Sequence, residues 1–203
     1  MWLFVVLSVV IGYLLGNLNG AVWVSHLMKD DVRSHGSGNA GLTNFIRSYG
    51  AKYALLVIAV DALKAVLACL LAGVLLKPYG MFLEGTAIGG LSVMLGHVFP
   101  VFLNFHGGKG ILSGLFVAVM VDWRIALLIL AVFAAAYFAT RYVSLGSVLA
   151  SVAFGVGFAV FHIDNLVVLL CGLAMSVLAI FMHRQNIVRL FKGEERKTDL
   201  FKK

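Results

Sequence analysis

The chain has 203 residues, 62% of them hydrophobic and 12% charged, with a net charge of +7 and a mean hydropathy of +1.01. A soluble domain carries about 25% charged residues, so this balance excludes a water-soluble globule and indicates an integral membrane protein. The basic excess does not call for nucleic acid, because anionic lipid headgroups serve as its partner equally well.

A bilayer core about 30 Å thick needs about 20 apolar residues of helix. The first run that qualifies is 2–27, and its start, Met1-Trp2-Leu3-Phe4, lacks the basic flank of a signal peptide. It is read as a first span that stays. A polar block follows, His35-Gly36-Ser37-Gly38-Asn39-Ala40-Gly41-Leu42-Thr43-Asn44-Phe45-Ile46-Arg47.

The run 51–76 contains Asp61 and Lys64, three residues apart and therefore on one helix face. Each charge costs about 2.5–3.5 kcal/mol at the bilayer centre, and the Leu, Ile and Val residues of the run return about 5 kcal/mol in total. The helix alone roughly breaks even, so both charges are expected to face protein, either as a tie between helices or near substrate.

Next comes 86–104, then the turn His106-Gly107-Gly108-Lys109-Gly110, then Ile111 to Val121, which is half a span by length. The runs 124–140, 143–161 and 165–182 complete the series, and a basic tail runs from His183 to Lys203. No polar linker separates these runs, so residues 1–203 read as one domain of about seven transmembrane helices. If 86–104 and 111–121 form a re-entrant pair, the count falls to about five. Cys69 and Cys171 lie in apolar runs, without disulfide or metal-ligand spacing.

Charge placement sets the orientation. Arg33 and Arg47 join Lys29 and Lys52 in the first loop. Arg184, Arg189, Lys192, Arg196, Lys197, Lys202 and Lys203 load the tail. Basic loops stay cytoplasmic, so the first loop and C-terminus are expected inside and the N-terminus outside.

Polar clusters recur at the cytoplasmic ends of these runs. In the first, the glycines permit close backbone approach, Ser37, Asn39, Thr43 and Asn44 supply neutral hydrogen bonds, and Arg47 offers a planar fork suited to phosphate. In the second, Gly107, Gly108 and Gly110 free backbone amides to converge on an anion beside Lys109. A tight interfacial turn with a snorkelling lysine would also fit that pattern. Arg141-Tyr142-Val143-Ser144 is the third. In the tail, His183 and Asn186 share a helix face, with Arg189 a turn further on; a basic helix lying on headgroups is the other reading.

The first three clusters contain no Asp or Glu, so no carboxylate is expected there to orient a histidine or hold a metal. His26 and Asp31 match a His-x4-Asp spacing found in a class of acyltransferases, but sit at a helix end among charges and read as coincidence. His162, beside Asp164, reads as an interfacial residue on the outer side.

Taken in order, the motifs carry a resemblance. They are Gly36-Ser37-Gly38-Asn39-x-Gly41-x-Thr43-Asn44-x-x-Arg47, Gly96-His97-x-x-Pro100-Val101-Phe102-x-x-Phe105-x-Gly107-Gly108-Lys109-Gly110, Arg141-Tyr142-Val143-Ser144 and His183-Arg184-x-Asn186-Ile187-x-Arg189-Leu190-x-x-Gly193-x-Glu195. Together they resemble the bacterial acyltransferases that use acyl phosphate to acylate glycerol 3-phosphate, the PlsY family. The chain departs from the family pattern at Gly16-Asn17-Leu18-Asn19, at Ala65 and at Ile111-Leu112-Ser113.

The resemblance implies a seven-span, multi-pass enzyme of the bacterial plasma membrane with its site on the cytoplasmic face. It would make 1-acylglycerol 3-phosphate, the first committed phospholipid precursor, without a cofactor, a metal or direct use of acyl-CoA. The implied partners are acyl phosphate, glycerol 3-phosphate, membrane lipid and, transiently, the soluble enzyme that makes acyl phosphate.

Lys109, Ser37, His183 and Asn186 would be catalytic. Gly38, Asn39, Gly41, Thr43, Asn44, Arg47, His97, Gly107, Gly108, Gly110 and Ser144 would bind substrate. A proton leaving the attacking hydroxyl would go to a substrate phosphate oxygen, with His183 as the rival base. A membrane carrier for a phosphorylated small molecule is the alternative function, because the same loops would bind an anion in transit.

Overall fold

A computed structural model describes residues 1–198, so Lys202 and Lys203 of the basic tail lie outside the described residues. Among the described residues there are ten α-helices: α1 (Trp2–Gly16), α2 (Gly20–Leu27), α3 (Leu42–Tyr49), α4 (Ala54–Leu76), α5 (Phe82–Val98), α6 (Ile111–Val121), α7 (Trp123–Thr140), α8 (Val143–Phe161), α9 (Leu166–Met182) and α10 (Arg184–Phe191). Of these, α4, α5, α7 and α8 are long and apolar enough to cross a bilayer, and counting the bent pairs α1–α2 and α9–α10 as single spans raises the number to six. α6 is a shorter apolar helix. The protein is therefore an all-α integral membrane protein.

The expected single helix over 2–27 is broken: α1 and α2 meet at a 40° bend. Asn17, Leu18 and Asn19 interrupt the ladder, and asparagines compete with the backbone for hydrogen bonds. Asn19 caps α2 by accepting from the Val22 N–H at 3.1 Å. Asn17 accepts from the Phe102 N–H at 3.2 Å, which ties the break to the segment after α5.

Small residues bring the first group of helices together. A Cβ on Gly96 would lie 2.0 Å from the Tyr13 carbonyl oxygen, so α1 and α5 touch backbone to backbone. Such close approach is a common basis for packing where helices gain no hydrophobic drive from water. The main buried core joins α4, α5, α6, α7, α8 and α9, with Val93, Met94, Val117, Ile125, Phe154 and Phe158 among its members. A smaller cluster, including Val22, Val32, Phe45 and Val57, seats α2, the first loop and α3 against α4.

The polar ends of the later helices use other partners. His162 Nε2 lies 3.2 Å from Asp122 Oδ2, which joins the end of α8 to the start of α7. The His26–Asp31 pair is 3.7 Å apart, with Asp31 bonded instead to Arg33 at 2.7 Å at the edge of the first polar loop.

Candidate active site

The first polar loop is folded by one side chain. Buried Asn44 donates from Nδ2 to the Val32 and His35 carbonyls, each at 3.0 Å, and its Oδ1 accepts the Ser37 N–H at 2.9 Å. Gly36 has φ +60°, and a Cβ there would sit 2.3 Å from Asn44 Oδ1. Glycine is required both for the left-handed backbone and for this contact. Asn44, expected to face substrate, thus spends both amide N–H donors inside the loop. Ser37, Gly38 and Arg47 are exposed, while Asn39, Gly41 and Thr43 are half-buried.

The lysine turn is pinned from behind. The Gly108 N–H donates to the His97 carbonyl at 3.1 Å, so that amide is not free for an anion as the glycine pattern implied. A Cβ on Gly107 would lie 2.0 Å from the same carbonyl oxygen. Gly110 has φ +82° and turns the chain into α6. Lys109 therefore projects from a fixed turn at the N-terminal end of α6. His97 is buried behind that turn, with Nδ1 2.6 Å from Lys64 Nζ.

Lys109 Nζ donates to Asn186 Oδ1, joining the turn to α10. Asn186 Nδ2 donates in turn to Glu195 Oε1 at 3.0 Å, and Arg189 Nε donates to Glu195 Oε2 at 2.8 Å. Arg47 Nε donates to Thr198 Oγ1 at 2.9 Å, and the Tyr137 hydroxyl donates to the Thr198 carbonyl at 3.1 Å. The tail from Glu195 to Thr198 thereby closes over the ends of α3, α7 and α10.

Glu195 corrects the expectation of a site without carboxylates. It lies in none of the first three clusters, and the tail brings it in. Thr198 and Glu195 are the site neighbours that the polar clusters did not contain, and the Gly193-x-Glu195 spacing was the one sequence signal for Glu195; Arg189, expected a turn beyond Asn186, lies there and holds Glu195.

The electrostatics follow from this arrangement. Burial pushes the Lys109 ammonium down to about 8; Glu195 opposes the shift, while Arg189 and Arg47 reinforce it. His183 lies beyond the end of α9. Burial first, and then the Lys109 charge, hold it down to about 4. Its Nδ1 lies 2.8 Å from the Ala179 carbonyl oxygen. A carbonyl only accepts, so Nδ1 carries the proton and Nε2 keeps its lone pair.

Ser144, in the first turn of α8, and Ser113, in the first turn of α6, are buried with hydroxyls that find no hydrogen-bond partner among the described residues. A small apolar recess opens beside Gly110 between α5, α6, α7, α8 and α9, with Met94, Ile129, Phe154 and Met175 in its wall. No group of three or more His, Cys, Asp or Glu residues that could hold a metal ion occurs among the described residues.

An all-α membrane fold with lysine, arginine, histidine and asparagine gathered at one end defines an anion-handling membrane protein. The family model for glycerol-3-phosphate acyltransferase matches residues 6–193, and the chain belongs to that family. It is 41% identical to the glycerol-3-phosphate acyltransferase of Thermoanaerobacter pseudethanolicus over 96% of each chain. It is 33% identical to that of Staphylococcus carnosus, over 95% of this chain and 97% of the relative.

The crystal structure of PlsY (YgiH), an integral membrane glycerol 3-phosphate acyltransferase, in its glycerol 3-phosphate form superposes with a TM-score of 0.88. The sequence identity is 34%, over 98% of this chain and 99% of that one. The lysophosphatidic acid form gives 0.84 at 34% identity, over 97% and 96%.

Proposed function

We propose that this chain transfers an acyl group from acyl phosphate to the sn-1 hydroxyl of glycerol 3-phosphate, releasing 1-acylglycerol 3-phosphate and inorganic phosphate. The observation that carries the reading is the Lys109–Asn186 link, which sets the glycine turn against the polar tail helix. The family membership and the glycerol 3-phosphate and lysophosphatidic acid forms of the similar structure support it.

Acyl phosphate is an activated mixed anhydride, so the protein's task is to position it and neutralise charge. Lys109 spends one N–H on Asn186 and keeps two for a phosphate oxygen. The Arg47 fork, the Ser37 hydroxyl and Asn186 would orient glycerol 3-phosphate, with Gly38, Asn39, Gly41, Thr43 and Ser144 shaping its surroundings. The apolar recess beside Gly110 would receive the acyl carbons next to the reacting carbonyl.

The hydroxyl oxygen attacks that carbonyl, the C–O bond to phosphate breaks, and phosphate leaves. The hydroxyl proton goes to a substrate phosphate oxygen. His183 Nε2 can accept a hydrogen bond from the hydroxyl, but a group held down to about 4 is a weak proton acceptor at neutral pH.

Counting α1–α2 as one span with α4, α5, α6, α7, α8 and α9 gives seven crossings of one domain. The site then faces the cytoplasm, the N-terminus lies outside, and α10 rests on the headgroups of the bacterial plasma membrane with Phe191 exposed. The soluble enzyme that makes acyl phosphate would dock on this same face. A carrier is disfavoured because the polar residues at mid-depth, Asn17, Asn19, Asp61 and Lys64, are bonded within the protein. Release of inorganic phosphate from acyl phosphate that depends on glycerol 3-phosphate tests the reading.

A further inference from the structure

The break between α1 and α2 leaves backbone groups without helical partners inside the membrane, where each must be satisfied from within the protein. The charged residues of α4 satisfy them. Lys64 Nζ donates to the Leu18 carbonyl at 2.8 Å and to Asp61 Oδ1 at 2.7 Å. Asp61 Oδ1 also accepts the Gly20 N–H at 3.2 Å. The third close partner of the ammonium is His97 Nδ1, at 2.6 Å. An ammonium only donates, so His97 Nδ1 accepts and the ring proton sits on Nε2.

This buried cluster touches both polar loops. On one side, a Cβ on Gly108 would lie 2.2 Å from His97 Nε2, and the His97 carbonyl holds the Gly108 N–H at 3.1 Å. On the other, Asn19 Nδ2 donates to the Ala40 carbonyl at 3.0 Å. That same carbonyl oxygen would lie 2.6 Å from the Gly108 Cβ. Ala40 precedes Gly41, the residue at the start of α3, which carries Arg47. The loop that leads to Arg47 and the turn that carries Lys109 therefore meet on one buried block, in which the Asp61, Lys64 and His97 side chains are joined to Asn19 through the Leu18 carbonyl and the Gly20 N–H that flank it.

We propose that Asn19, Asp61, Lys64 and His97 are positioning residues that hold these two loops in register across the site. The inference rests on the acyl-transfer reading. A tie between helices would need only the Asp61–Lys64 pair. The contacts of His97 with Gly108, and of Asn19 with Ala40, aim the cluster at the loops. A shift on the His97 side moves Lys109 relative to the donor carbonyl and lowers kcat. A shift on the Asn19 side moves the Arg47 loop and weakens glycerol 3-phosphate.

The test uses purified full-length protein in detergent, with kcat, KM for both substrates and thermal midpoint measured for wild type, His97→Leu, His97→Gln and Asn19→Ala. His97→Leu should lose about a hundredfold in kcat, as misplacement by about 1 Å does, while the glycerol 3-phosphate KM stays within about threefold of wild type, a shift of about 0.65 kcal/mol or less. His97→Gln, whose side-chain oxygen can accept from Lys64 while its amide fills the place beside Gly108, should recover most of that loss. Asn19→Ala should instead raise the glycerol 3-phosphate KM about tenfold, a shift of about 1.4 kcal/mol.

A folded His97→Leu with wild-type kcat would overturn the inference, as would losses in the histidine variants that follow the fall in thermal midpoint alone. Should His97→Leu fail to fold, Asn19→Ala decides: a raised KM supports the inference and an unchanged one overturns it. A wild-type protein inactive on acyl phosphate and glycerol 3-phosphate overturns the acyl-transfer reading and this inference together. An active wild type with indifferent variants overturns the inference alone.

Discussion

Lys109 and Asn186 are 77 residues apart in the chain, and the lysine ammonium donates directly to the asparagine side-chain oxygen. The Asn186 amide then reaches Glu195, whose other oxygen holds Arg189. One lysine, one arginine and one carboxylate are thus fixed relative to each other before any substrate arrives. Preorganised charge of this kind needs no rearrangement as negative charge develops on a leaving phosphate.

Lys109→Ala removes the ammonium from this chain of contacts. We expect kcat to fall by at least about a thousandfold, at the upper end of losses for one charge-stabilising donor, with a smaller change in KM for glycerol 3-phosphate. Steady-state kinetics on purified protein would check it, and near-normal kcat would show that the ammonium does not act on the transition state.

Arg47→Lys keeps a charge but loses the planar fork. Its main effect should be a rise in KM for glycerol 3-phosphate of about tenfold or more, about 1.4 kcal/mol of binding. Titrating that substrate at saturating acyl phosphate would measure it. A variant with unchanged KM would move the glycerol 3-phosphate site away from α3.

The pH profile has two separately assignable limbs. Lys109 stands near 8, and only its protonated form neutralises phosphate, so kcat/KM should decline as pH rises through about 8. Glu195 raises the Lys109 value, so Glu195→Gln should move that limb to lower pH. A limb that stays in place would mean that another group sets it.

The acid limb belongs to substrate. His183 is held down to about 4 and is already neutral well below pH 6, whereas a phosphate monoester loses its second proton near about pH 6. His183→Asn should therefore lose activity chiefly through weaker glycerol 3-phosphate binding and keep its acid limb. If that limb vanishes while KM is unchanged, His183 is the general base.

Single cysteines at Ser34, Asn104 and Thr198 test the topology. All three should resist an impermeant thiol reagent in intact cells and react after lysis. Labelling of the Asn104 position from outside would replace the seven-span arrangement with a re-entrant pair.

Much of this was legible because membrane helices announce themselves by apolar length, and the polar blocks interrupt that background. The ends of α7, α8 and α9 fall within a residue of the apolar runs at 124–140, 143–161 and 165–182. The break at Asn17-Leu18-Asn19 was not, because two asparagines among apolar neighbours leave the mean hydropathy of the run high. Periodicity placed Asp61 and Lys64 on one face of α4, but could not reveal that His97, 33 residues beyond Lys64, completes their cluster. Glu195 and Thr198 reach the site only through the fold of the tail. For Asn44, residue type alone could not separate an amide that meets substrate from one that folds its own loop.

The most direct test of the central claim offers purified protein in detergent glycerol 3-phosphate with either acyl phosphate or the matching acyl-CoA, and follows inorganic phosphate and 1-acylglycerol 3-phosphate. Acyl phosphate should give both products in equal amounts, and only when glycerol 3-phosphate is present. Acyl-CoA should give neither, because its thioester sulfur offers no phosphate to Lys109 and its turn. Efficient turnover of acyl-CoA, or phosphate release without formation of the acylated product, would contradict the account.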